Sequence, residues 1–142
     1  MIDNKKLIEL KSKMVDKNIV VIGDLMLDAY YWGAVSRISP EAPVPVVEID
    51  NEFFRFGGAA NVANNLVHLG ANPIPIGIIG ADQHGEIFKD LMKKEGITSE
   101  AIFEVAERPT TTKVRVIADN QHIVRIDKEV ETDIDLGTED RI

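Results

Sequence analysis

The chain has 142 residues, 44% of them hydrophobic and 28% charged, with a net charge of −8 and an isoelectric point near 4.8. This fits one domain with a sizeable core, and the acidic balance argues against nucleic acid as a partner. There is no cysteine, so disulfides, thiolate metal sites and cysteine nucleophiles are excluded.

The N-terminal stretch MIDNKKLIELKSKM lacks the apolar run of a secretory signal, and no apolar stretch approaches the ~20 residues that cross a bilayer. A cytoplasmic protein with no membrane partner is expected. Residues 3–15 read as an amphipathic helix capped by Asp3 or Asn4, with Leu7, Ile8, Leu10 and Met14 toward one face. NIVVIGD, residues 18–24, reads as a strand buried on both faces, typical of a parallel sheet. Residues 57–70 read as a second helix, with Ala59, Val62, Ala63, Leu66 and Val67 on its apolar side. PIPIGIIG, residues 73–80, is a further apolar strand. Residues 83–95 form a third helix with an Ile87, Phe88, Leu91 and Met92 stripe, stopped by Gly96. Strand and helix alternate in this order in a doubly wound α/β layer.

Two stretches interrupt the alternation. Residues 29–56 contain prolines at 40, 43 and 45 and β-like segments near 29–34 and 44–50. Residues 110–127 read as a hairpin turning at Asp119-Asn120. Together they suggest a small second sheet over the main one, which is the geometry of a lid. Near the C-terminus, Thr138 before Glu139 and Asp140 reads as a helix cap. The few strands counted suggest the N-terminal part of a larger protein.

Chemistry concentrates in a few places. In GGAANVANNLVHLG, residues 57–70, two glycines sit at a helix N-terminus, where N–H groups are unpaired and a ligand hydroxyl or anion can approach closely. Asn61, in the first turn, both donates and accepts hydrogen bonds, as sugar hydroxyls require. The plainer reading is a glycine-flanked amphipathic helix. In GDLMLDAY, residues 23–30, Asp24 and Asp28 follow a strand end, where open α/β sheets bind ligands. The alternative for either is a turn cap. GIIGADQHG, residues 77–85, matches no phosphate loop and reads as a strand-to-helix turn capped by Asp82. Arg37, Lys113, Arg115 and Arg125 are candidates for gripping phosphate, against the simpler reading of solvated strand faces. A two-residue turn at 119–120 puts Arg115 and Arg125 on opposite faces; a three-residue turn at 119–121 puts them directly opposite each other, which is unfavourable without an anion between. His68, His84 and His122 show no metal-ligand spacing and read as surface residues.

These segments in this order resemble the ribokinase (phosphofructokinase-B) family of sugar kinases, on GGAANVANNLVHLG followed by IGIIGADQHGE. Within it, GDLMLDAYYWGAVSRISPEAPVPVV and TTTKVRVIADNQHIVRID are similar to the heptose 7-phosphate kinase branch that serves ADP-heptose and lipopolysaccharide synthesis. The resemblance covers residues 18 to 130. It implies a ribokinase-like doubly wound α/β sheet with a small β lid, truncated, so that residues 1–142 are the N-terminal part of a kinase domain with lid segments at about 29–56 and 110–127. It implies transfer of the ATP γ-phosphoryl group, with Mg²⁺, to the anomeric hydroxyl of a heptose 7-phosphate, and a homodimer formed through the lid. Asp28 matches the family aspartate that holds sugar hydroxyls; Gly57, Gly58 and Asn61 match its second sugar-contacting element. The family's catalytic base, in a late G-A-G-D motif, has no counterpart here, since GIIGAD is a separate, earlier element. The chain is therefore expected to hold the sugar side of the site, with no catalytic base and with the main ATP and Mg²⁺ segments beyond it. An adenylyltransferase domain, as in bifunctional relatives, is not expected within it. A non-catalytic sugar-phosphate-binding or dimerisation module shares the same residues and stays open. A dinucleotide binder lacks its G-x-G-x-x-G fingerprint.

Overall fold

A computed structural model describes residues 3–142; the first two residues of the expected 1–142 unit lie outside the described residues. The elements are α1 (Asn4–Met14), β1 (Asn18–Ile22), β2 (Leu25–Ile38), β3 (Pro45–Gly57), α2 (Gly58–His68), β4 (Asn72–Gly80), α3 (Gln83–Glu95), β5 (Ile102–Val105), β6 (Thr112–Ala118), β7 (Gln121–Lys128) and α4 (Leu136–Glu139). They build two sheets. One is parallel, in the order β1-β4-β5; the other is mixed, in the order β3-β2-β6-β7. In the second, β2 and β6 run parallel, while β3 and β7 pair antiparallel with them.

Local chemistry accounts for the elements around the parallel sheet. Asp3 caps α1 by accepting from the Lys6 N–H, and Asp82 caps α3 by accepting from the Gly85 N–H. The α3 stripe meets the core: Phe88 and Met92 are fully buried, and Phe88 packs edge-on against Phe56 with ring centroids 5.2 Å apart. Leu25 and Leu27 of β2, Ala60 of α2, Ile79 of β4 and Ile97 complete this core. The start of the second sheet is thus built into the main core, and its far end extends beyond it.

β1 is not buried on both faces: Val20 and Ile22 are 53% and 73% exposed, because β1 is an edge strand covered on one side only. Leu7, Ile8 and Leu10 of α1 are likewise exposed, while Met14 is half-buried. On α2, Ala63 is buried and Ala59 and Val67 pack against the core as expected, but Ala60 is buried too and Val62 is half exposed, so the inward face is turned toward Ala60. Asp135, not Thr138, caps α4; Thr138 is buried within it and donates its hydroxyl to Asp135. His84 is not a free surface residue: its Nδ1 lies 3.2 Å from the buried Thr112 hydroxyl. The strands β2 and β3 run well beyond the 29–34 and 44–50 segments, and β5 was not anticipated.

The hairpin turns at Asp119-Asn120, both left-handed (φ 50° and 61°), which suits a two-residue turn between twisted strands. A bulge between Val116 and Ile117 then shifts the register by one, so that Arg115 faces Arg125 directly. The turn length is the first alternative and the arginine pairing is the second.

A polar joint fastens this hairpin to the main layer. Asp82 accepts from the Thr110 hydroxyl (2.7 Å) and N–H (3.2 Å), the Gly85 N–H (3.0 Å) and Lys128 Nζ (3.2 Å). Burial pushes its carboxyl upward, but these donors outweigh burial and hold it at about 2. A depressed carboxylate stabilises the fold above its unfolded value and loses that contribution as pH falls through the folded one. Asp82→Ala should therefore lower stability by about 2 kcal/mol at neutral pH, with the deficit vanishing between about pH 4 and pH 2. Denaturant melts across that range check it; a deficit independent of pH would assign Asp82 a purely steric role.

Candidate functional site

The two faces of the second sheet differ in kind. On one, Leu27, Ala29, Phe54, Phe56, Thr112, Val114, Val116, Val124 and Ile126 follow the strand alternation, buried at the core end and exposed toward β7. On the other stand Asp28 and Tyr30 of β2, Phe53 and Arg55 of β3, Lys113 and Arg115 of β6, and Arg125 and Asp127 of β7. The GDLMLDAY and GGAAN segments meet on this charged face.

Asp28 is its centre. Arg115 Nη1 donates to Asp28 Oδ1 at 2.6 Å, with both side chains about four-fifths buried. This pairing raises the Arg115 pKa further, against the opposing effect of burial. The other carboxylate oxygen lies against Gly57: a Cβ there would stand 3.2 Å from Asp28 Oδ2 and 3.1 Å from Met26 Cβ. Gly57 is the N-cap of α2, with no side-chain cap of its own. Gly58 follows at φ 56°, and a Cβ on it would collide with the Asp24 carbonyl oxygen. That oxygen accepts the Ala59 N–H at 2.9 Å. The Gly58 position is explained by backbone geometry, and the Gly57 position by room for the Asp28 carboxylate. Asn61 is exposed in the first turn of α2, and its side chain makes no hydrogen bond among the described residues. Asp24 and Met26 line an adjoining cavity of about 600 Å³ with Ile76, Gly77 and the segment 129–134.

The basic candidates separate. Lys113 is gripped by Asp127 (3.1 Å) and Glu129 (2.9 Å), and the Glu129 and Asp127 contacts raise its pKa. Arg125 pairs with Asp127 at 3.0 Å. The anion expected between Arg115 and Arg125 is thus supplied by the chain's own Asp28 and Asp127. Arg37 does not join this group. It is nine residues along β2 from Asp28, roughly 30 Å at strand spacing, exposed, and 3.9 Å from Glu48. One residue not singled out in the sequence belongs here: Arg55, paired directly across from Asp28. Its signal was the alternation Phe53, Arg55, Gly57, which puts it on the face of the glycine.

Residues 16–137 match the pfkB family carbohydrate kinase. The chain is 48% identical over 127 residues to the Bifunctional protein HldE of Geobacter metallireducens, covering 89% of this chain and 26% of that one. It is 51% identical over 114 residues to the Bifunctional protein HldE of Helicobacter pylori, covering 80% and 25%. It shares its fold with a putative sugar kinase from Clostridium perfringens, at 20% identity and a TM-score of 0.66, over 88% of this chain and 39% of that one. The Arabidopsis thaliana ribokinase complexed with ribose and ATP gives 20% and 0.62, over 80% and 36%. The chain belongs to the pfkB family of carbohydrate kinases and has the ribokinase-like α/β fold. It spans about a quarter of the length of the curated relatives it matches.

Proposed function

We propose that this chain forms the sugar-binding part of a kinase that transfers the ATP γ-phosphoryl group to the anomeric hydroxyl of a heptose 7-phosphate, in ADP-heptose synthesis for lipopolysaccharide. The observation that carries the reading is the Asp28 carboxylate, held by Arg115 and facing a Cβ-free backbone at the N-terminus of α2. An ionised carboxylate has more acceptor sites than one arginine fills, so it can take protons from adjacent sugar hydroxyls while Arg115 fixes its orientation. Asn61 supplies a donor and an acceptor nearby. These groups bind and orient the sugar, which converts an encounter between two substrates into a positioned one.

Among the described residues no group of three or more His, Asp or Glu side chains could hold a metal ion. In this reading, as the family resemblance implies, the main segments that hold ATP and Mg²⁺ lie outside residues 1–142. A homodimer through the second sheet is part of the proposal: Val124 and Ile126 stand half exposed on its apolar face, opposite the charged one.

The full-length protein, given heptose 7-phosphate and Mg-ATP, should release ADP at ~1 s⁻¹ or faster, and residues 1–142 alone should not. No turnover by the full-length protein contradicts the kinase reading. Sugar-phosphate binding without ADP release would favour the non-catalytic module instead.

A further inference from the structure

We infer that Arg55 is the residue of the charged face that recognises the substrate's phosphate, a specificity-determining role resting on the sugar-phosphate reading above. Three carboxylates on or beside this face are already committed. Asp28 holds Arg115, Asp127 holds Arg125, and Asp127 and Glu129 together hold Lys113. Those three cations are balanced within the chain, and for each of them binding a dianion means giving up or sharing a carboxylate partner. Arg55 has no carboxylate partner among the described residues. It is the uncompensated positive charge of this face, in a protein whose net charge is −8.

Arg55 is also held in place. Tyr30 and Phe53 stack with ring centroids 4.8 Å apart and planes 5° from parallel. The Arg55 guanidinium lies over this pair, 5.7 Å from the Tyr30 centroid and 5.2 Å from that of Phe53. Cation–π contact restrains the planar group without consuming its N–H donors, which point outward along its edges. An arginine free in solvent loses much rotamer freedom when it binds; one resting on an aromatic platform has already lost part of it. The fork then presents two parallel donors, the geometry a phosphate monoester accepts in bidentate form.

Position completes the case. Arg55 pairs directly across from Asp28, and strand alternation puts both on one face. Gly57 lies two residues further on, at the start of α2. A ligand whose hydroxyls meet Asp28 and the α2 N-terminus therefore has Arg55 beside it, on the side leading away from the helix. A phosphate on the exocyclic carbon of a sugar, remote from the reacting hydroxyl, fits that side.

The test uses the full-length protein with Arg55→Ala and Arg55→Lys. Each is assayed with Mg-ATP on heptose 7-phosphate and on the unphosphorylated heptose, and each is titrated with heptose 7-phosphate in the absence of ATP. Arg55→Ala should lose about 10- to 100-fold in kcat/KM and in affinity for the phosphorylated sugar, and much less on the unphosphorylated one. Arg55→Lys, which keeps the charge but not the fork, should recover part of the loss. Equal losses on both sugars, or none on either, overturn the inference and leave Arg55 as packing for Tyr30 and Phe53. Failure of the wild-type protein to turn over any sugar overturns the kinase reading instead, and the ATP-free titration still decides the role of Arg55.

Discussion

Asp28→Ala should cost roughly 2–4 kcal/mol of transition-state binding, seen as a fall in kcat/KM of the full-length protein. Two effects add. The sugar hydroxyls lose a charged acceptor, which is worth more than a neutral one. Arg115, about four-fifths buried, loses the carboxylate it contacts at 2.6 Å and keeps only the Lys113 carbonyl as a hydrogen-bond partner. Its guanidinium then rests on Tyr30, 5.2 Å away, with donors left without a carboxylate partner. Asp28→Asn separates the effects, because it keeps size and one acceptor while removing charge. The loss should be smaller for Asn than for Ala and should fall on phosphorylated and unphosphorylated sugars alike, unlike the loss at Arg55. Unchanged kcat/KM in both variants would remove Asp28 from the site.

The largest stability effect is expected at Phe88. Its side chain is fully buried between α3 and the start of the second sheet, edge-on to Phe56. Phe88→Ala removes the apolar surface and leaves a cavity that flanking strands cannot collapse to fill, which costs about 3–5 kcal/mol. The void lies beneath Phe56 on the apolar face, and Phe56 directly precedes Gly57 in the chain, so a shift of β3 there carries through the sheet to the strand end that faces Asp28. Activity should fall together with the melting temperature, whereas Asp28→Asn should lower activity with little change in melting. A Phe88→Ala variant as stable as wild type would show that the two sheets are not joined through this contact.

The parts of the fold readable in the sequence were those set by neighbours along the chain. Asp82 and Gly96 bracket α3 because capping depends on residues within one turn. Asp119-Asn120 marks the hairpin because both tolerate the left-handed backbone that its turn requires. What depends on distant partners was not readable. An apolar run such as NIVVI does not reveal which of its faces will be covered. Four residues at Ile102–Val105 are too few for a period to show. The bulge between Val116 and Ile117 appears only once β6 and β7 pair, and it brings Arg125 directly across from Arg115. The site divides in the same way. The Asp28 and Gly57-Gly58 motifs were visible as local patterns. That Asp127 holds Arg125 on its own strand and, with Glu129, holds Lys113 across the hairpin depends on the hairpin's register; that Arg55 stands beside them follows from pairing β2 with β3 and β6. Arg37 entered as a candidate by charge alone, and the length of β2 carries it away from the rest.

A crystal structure of the full-length protein with heptose 7-phosphate bound would locate the sugar relative to Asp28. The sugar hydroxyls should lie within about 3.2 Å of the Asp28 carboxylate, the ring against Gly57 and the first turn of α2, and the phosphate in the fork of Arg55. A sugar bound elsewhere, with Asp28 still engaged only by Arg115, would contradict this placement.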